Sequence, residues 1–255
     1  MAASLALEDY LDALSTATAR IHEEAQEAGL DASVLTCPGW SVLQLVAHQG
    51  MIHRWATAHV LGQGDVDADA VEAEGMHHAN PGAWLMAGSE RLEAVLRASR
   101  ADLDVWFFLK DAGPPRDAWA RRQAHETSIH AVDALSAKLQ AFPHASDVDI
   151  DPDFASDGID ELLCGFLTRK DESLRTSRPV TVLVHTDDTE RDWTLRLSSE
   201  PVVATPGRPD TAPDTTWSGD ATQLYLGLWN RAREIRQEGI DALAIWRRRM
   251  TVTWS

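Results

Sequence analysis

The chain has 255 residues, 44% of them hydrophobic and 25% charged, with a formal net charge of −17. That length allows one large or two modest domains with a core that needs no disulfide staple, and that composition excludes global disorder. With 40 acidic against 23 basic residues, the surface repels a phosphate backbone, so nucleic acid is an unfavourable partner. No apolar run reaches the ~18–20 residues of a membrane span, so no membrane partner is expected. The opening MAASLALEDYLDALS lacks the basic start and apolar stretch of a secretory signal. With Cys37 and Cys164 as the only cysteines, the expectation is a soluble cytoplasmic protein.

The first 140 or so residues read as helices. Leu7, Tyr10, Leu11, Leu14 and Ile21 recur at helical spacing, with Glu23, Glu24 and Glu27 on other faces. Pro38-Gly39 breaks the chain, and Ser41 with Gln44 forms a capping-box pattern that starts a second helix running to about Gly62. The acidic DVDADAVEAEG lacks periodicity and reads as a loop, with His77-His78 just beyond it. A third helix is expected over Trp84 to Lys110, with Leu92, Val95, Leu96, Leu103 and Trp106 inward, ended by Gly113-Pro114-Pro115. A fourth is expected from about Asp117 to Leu139, carrying Trp119, Ile129, Val132 and Leu135. Four long helices joined by short or flexible loops suggest an antiparallel bundle.

The texture changes after Phe142-Pro143. Ala145 to Asp157 is acidic and linker-like, and a helix is expected from Gly158 to Lys170. PVTVLVHT and DWTLRLSS then alternate around the turn-forming DDTERD, with EPVVATPG and DTTWSG as third and fourth strands. Asp220 is placed to cap a helix through Leu224, Leu228 and Trp229, and Leu243 to Trp254 returns to the sheet or packs beside it. The expected fold class is α+β: an N-terminal helical bundle over residues 1–145 and a smaller α+β domain over residues 155–255.

Chemistry concentrates in the fourth helix. RRQAHETSIHAVDA places Glu126 and His130 four residues apart, one turn apart on one helix face, where a carboxylate and an imidazole can share a divalent metal. His125 is adjacent to Glu126 and points elsewhere. The pattern is not HExxH, so a metalloprotease reading fails on spacing. A third ligand is expected from a facing helix. His48 lies on the inward stripe with Leu45, Ile52 and Trp55; His53, beside Arg54, and His59, nearer the helix end, are alternatives. A His–Glu–His set with an open position suits a catalytic Zn²⁺ or similar ion. The ordinary alternative is a surface Glu–His contact, since ten histidines make such a pair easy to draw by chance. There is no GxxxxGK[ST], GxGxxG or GxSxG, so nucleotide binding and serine hydrolysis lack support. Trp40 and Trp55 are expected to pack within the bundle, and Cys37 is read as a small buried residue rather than a reactive thiolate.

The segments CPGWSVLQLVAHQGMIHRWA and RRQAHETSIHAVDA, in this order, resemble two motifs of the mycothiol-dependent maleylpyruvate isomerase family. DGIDELLCGFL, HTDDTERDWTLRL and LYLGLWNRA resemble that family's smaller domain. The resemblance implies a DinB-like four-helix bundle followed by an α+β domain. It also implies a divalent metal, usually zinc, between them, held by His48, Glu126 and His130. The implied cofactor is mycothiol, bound to the metal as a thiolate. In the isomerase proper that thiolate adds to the cis double bond of maleylpyruvate, and rotation and elimination give the trans product. Arg231 in LWNRA is the implied catalytic cation for an anionic substrate; otherwise it is an arginine favoured by a helix C-terminus. Arg54 and Arg122 are weaker candidates, read as surface or ion-pair residues. The expected activity is cis–trans isomerisation or thiol transfer with a small-molecule thiol and a small electrophilic substrate. The alternative is a non-catalytic metal- or thiol-binding protein on the same scaffold.

Overall fold

A computed structural model describes residues 5–64, 66–167 and 174–250. Among these residues no helix is long and apolar enough to cross a membrane. The chain separates into two compact units, one holding the chain up to Phe108 with Ala112–Pro143, the other Leu109–Asp111 with the chain from His144 onward.

The first unit is helical: α1 Leu7–Ala28, α2 Val42–Val60, α3 Ala68–His77, α4 Pro81–Ala98 and α5 Pro115–Leu139. Tyr10, Leu11, Leu14 and Ile21 of α1 are buried, as their spacing requires. At the start of α2, Gln44 N donates to Ser41 Oγ at 3.3 Å and Ser41 N to Gln44 Oε1 at 2.8 Å, the reciprocal capping box. One core joins Ala17 and Ile21 with Val42, Leu45 and Val46 and with Leu85 and Ala134.

Three expectations for this unit need correction. The acidic stretch expected as a loop is α3, capped by Asp67, whose carboxylate accepts Ala70 N at 3.0 Å. Alanine and glutamate favour helix without an apolar stripe, so periodicity misses it. His77 and His78 close that helix, with Nδ1 of each against the carbonyls of Ala73 and Asn80. The helix expected to reach Lys110 ends at Ala98, and Trp106, expected inward, is 57% exposed. Pro115, expected to end a helix, begins α5 instead, at the N1 position where a missing N–H costs nothing.

Trp84 of α4 locks α2 and α3 together. Its ring lies against Gly50 of α2 and Gly75 of α3, and Nε1 donates to Glu74 at 3.2 Å. The Arg54 guanidinium sits 3.6 Å above the ring and donates to the Trp84 carbonyl at 2.9 Å. Arg54 is therefore a packing residue rather than a surface one.

The second unit carries the α+β fold. Asp151 caps α6 (Pro152–Asp160), accepting Asp153 N and Phe154 N, and the helix continues through Glu161–Phe166 with π-type pairing. The helix thus starts before the expected Gly158, inside the stretch read as linker; residues 168–170 of that expectation lie outside the described residues. Five strands, β1 Val180–Thr186, β2 Asp192–Leu197, β3 Val203–Pro206, β4 Thr215–Gly219 and β5 Arg236–Gly239, are ordered β3-β2-β1-β4-β5. β1 pairs antiparallel with β2 and parallel with β4, and the edges are antiparallel. The helix after Asp220 is α7 (Ala221–Leu228), and α8 spans Leu243–Arg249. β5 was not expected: RQEG is polar and four residues long, an edge strand set by its neighbour rather than by its own pattern. Leu243 onward forms a helix whose Trp246 packs on Trp217 with ring centroids 5.5 Å apart; residues 251–254 lie outside the described residues.

Gly50 and Gly75 test the Trp84 lock. Alanine in a helix ordinarily gains about 1 kcal/mol over glycine. At Gly75 its Cβ would stand 2.6 Å from Trp84 Cζ3, and at Gly50 it would clash more severely with the same atom. Gly50→Ala and Gly75→Ala should each lower stability by about 1–3 kcal/mol in urea unfolding; a gain in either would show that the ring moves freely.

Candidate metal centre

α5 is buried along nearly its whole length although its sequence is polar, so its side chains must find partners inside the bundle. On one face, Arg122, Glu126, His130 and Asp133 follow at spacings of four, four and three. Arg122 Nη2 lies 3.1 Å from Glu126 Oε2, Glu126 Oε1 lies 3.4 Å from His130 Nε2, and His130 Nδ1 lies 2.9 Å from Asp133 Oδ2. The row alternates basic and acidic groups. Arg122 is 0% exposed, so it is neither a surface residue nor one placed for an external anion.

α2 supplies the facing group. His48 is buried, its ring centroid 5.4 Å from that of His130, and its Nδ1 is 3.6 Å from Glu72 Oε2 of α3. Ligand atoms of His48, Glu126 and His130 all lie within 4.8 Å of one another. Tetrahedral ligands with bonds of about 2.0–2.1 Å stand about 3.4 Å apart, the spacing of the Glu126–His130 pair. Two imidazoles and a carboxylate are a donor set that fits Zn²⁺ or a similar divalent ion. Asp133 takes the other imidazole nitrogen of His130, as carboxylates do behind metal-bound histidines.

The electrostatics follow from this crowding. Burial alone would lower the pKa of His130, but hydrogen bonds and charge from Asp133 and Glu126 outweigh it and raise it to about 9. Burial would raise the Glu126 carboxyl, but its bond to His130 and the Arg122 charge hold it well below the usual range. A cation that takes His130 Nε2 must therefore displace a proton, so metal affinity weakens as pH is lowered.

The alternative ligands are placed elsewhere. His53 is fully buried, with Nε2 2.9 Å from Gln49 Nε2 and 3.1 Å from Thr127 Oγ1. His59 stacks on Trp119, ring centroids 5.5 Å apart, within an aromatic group that includes Trp55 and Trp106. His125 faces α1, edge-on to Tyr10. Trp40, expected only to pack, lines the candidate centre: its ring is 4.9 Å from that of His48 and 6.2 Å from that of His130. Asp133 and Arg122 acquire roles that the i,i+3 and i,i+4 spacing signals. In the second unit, Arg231 follows α7, is half-buried, and donates from Nη1 to the Trp229 carbonyl at 2.8 Å.

A helical bundle with a converging His–Glu–His set, followed in the chain by an α+β unit, defines a two-domain architecture with a candidate metal centre in its helical part. The mycothiol maleylpyruvate isomerase N-terminal domain model matches residues 11–135, and the MDMPI C-terminal domain model matches residues 153–237. The chain belongs to the mycothiol maleylpyruvate isomerase family. Its structure is similar to a crystal structure of the mycothiol-dependent maleylpyruvate isomerase, with a TM-score of 0.59, 16% identity, and coverage of 91% of this chain and 93% of that one. A structure of that isomerase with one histidine replaced by alanine matches with a TM-score of 0.59, 17% identity and the same coverage. At these identities the likeness concerns the fold. No curated protein matches the chain.

His53 offers a pH test within this unit. Burial, then the Arg54 charge, lowers its pKa from 6.5 to about 3. The unfolded chain therefore binds a proton between those values that the folded chain refuses. The contribution is complete above pH 6.5 and is lost as pH falls towards 3. His53→Gln should flatten this acid limb, so that the urea midpoint drops less between pH 7 and pH 4.5 than in wild type. An unchanged drop would show that His53 titrates normally.

Proposed function

We propose that the protein is a divalent-metal-dependent, mycothiol-using enzyme that activates a thiolate for addition to a small electrophile, by cis–trans isomerisation or thiol transfer. The observation that carries this reading is the convergence of His48, Glu126 and His130 inside the bundle, with Asp133 behind one ligand and Arg122 behind another. Zinc is the ion such a donor set suits best. Coordination there would lower the pKa of a thiol and supply a nucleophile near neutral pH.

The protein's own residues do the rest. Asp133 accepts from His130 Nδ1 and leaves Nε2 facing the centre. Arg122 engages one oxygen of Glu126 and leaves the other on the His130 side. Trp40 packs against the two imidazoles, edge-on to His48 and stacked on His130. In the second unit Arg231 is proposed as the catalytic cation, because a fork of N–H donors matches a substrate carboxylate.

Metal analysis by mass spectrometry tests the centre. Wild type should carry about one equivalent of zinc or a similar ion, as a single three-ligand site implies, and Glu126→Ala should carry none. Removing Glu126 takes a charged partner from the buried Arg122, so Glu126→Gln is the companion variant that keeps the shape. No metal in wild type after reconstitution, or equal metal in all three, overturns the assignment. His48→Ala should abolish turnover while helix content is retained.

Arg231 has a separate readout. Arg231→Ala should leave metal content unchanged and lower kcat/KM for a dicarboxylate substrate. Loss of a charge-assisted bond worth about 1.5–3 kcal/mol corresponds to roughly tenfold to a hundredfold. Unchanged kinetics would return Arg231 to a helix-terminal role.

A further inference from the structure

Two side chains in the loop between α1 and α2 end on one carboxylate of α5. Thr36 Oγ1 donates to Asp133 Oδ1 and lies 2.9 Å from Ser136 Oγ. Cys37 Sγ donates to Asp133 Oδ2 at 3.2 Å, and the same oxygen accepts His130 Nδ1 at 2.9 Å. The loop is itself held. Ser33 bridges Ser41, Cys37 N donates to the Val34 carbonyl at 3.1 Å, and Trp40 N donates to the Cys37 carbonyl at 3.0 Å. Gly39 turns the chain at φ +91°, a value that favours glycine.

We propose that Thr36 and Cys37 are positioning residues for the metal centre: by engaging both oxygens of Asp133 they fix the carboxylate that orients His130. This rests on the metal reading above. A carboxylate held through one oxygen still turns about its Cβ–Cγ bond; held through both, it has one orientation. Asp133, as an acceptor of three donors, then requires His130 Nδ1 to be N–H and leaves Nε2 as the ligand nitrogen. The separation of 96 positions between Cys37 and Asp133 makes this a link between the α1–α2 loop and the centre that neither helix provides alone.

A competing role exists for the sulfur. Cys37, His130 and Asp133 also offer ligand atoms within 4.8 Å of one another. A cation there would have to break both the His130–Asp133 and the Cys37–Asp133 bonds, so the geometry favours Cys37 as donor.

The test uses the metal-free full-length chain: wild type, Thr36→Val, Cys37→Ala and Cys37→Ser. Zn²⁺ affinity is measured by competition with a chelating dye, Co²⁺ spectra are recorded, and thermal melting of the metal-free proteins is followed by circular dichroism. Thr36→Val and Cys37→Ala should each weaken Zn²⁺ binding about tenfold, the scale of outer-shell losses. Cys37→Ser, which keeps a donor, should stay within about threefold of wild type, below the scale of outer-shell losses. Metal-free melting should move little in all three. Unchanged affinity in Thr36→Val and Cys37→Ala overturns the proposal, as does lower metal-free melting with affinity intact, which marks a purely structural role. A sulfur-to-cobalt charge-transfer band in wild type, with Cys37→Ser as weak as Cys37→Ala, makes the sulfur a ligand and overturns it too. If wild type takes up no metal, the metal reading fails and this inference with it. If wild type takes up metal and the variants match it, only this inference fails.

Discussion

The helical unit is organised around a buried row of alternating charge on α5. Arg122, Glu126, His130 and Asp133 touch in sequence along one helix face, and each would be costly to bury without the next. Hydrophobic side chains of similar volume would serve stability at least as well. The row therefore constrains the packing more than it strengthens it: α2 must bring His48 to it, and the α1–α2 loop must bring Thr36, Cys37 and Trp40. Partial satisfaction of such a network is worse than none, so these elements are fixed together.

The same packing separates histidines that the sequence cannot tell apart. His48, His53 and His59 share one helix and are all buried. His53 goes to Gln49 and Thr127, where burial and the Arg54 charge keep it neutral. His59 goes to a stack of aromatic rings. Only His48 meets both Glu126 and His130. Trp84, by locking α3 onto α2, also brings Glu72 within 3.6 Å of His48, so a helix without an apolar stripe contributes to the surroundings of the centre.

Where the reading of the chain failed, local pattern and tertiary context had parted. α3 lacks amphipathic periodicity because only Gly75 among its residues is buried; its cap and its composition carry it. The segment after Ala98 keeps apolar residues at helical spacing, yet Trp106 lies outside any helix and stands 57% exposed, its backbone carbonyl accepting Trp119 Nε1. β5 has no strand signal of its own and forms because β4 offers it an edge.

The sequence by itself determined the helices α1, α2 and α5, the capping box at Ser41, four of the five described strands, and the pairing of Glu126 with His130, because all of these follow from spacing along one element. The two motifs also carried the family likeness. Tertiary structure decided which α2 histidine faces that pair, and that Thr36 and Cys37 converge on Asp133. Those contacts join residues about 78 to 97 positions apart, and no local periodicity encodes a distance between helices that only packing brings together.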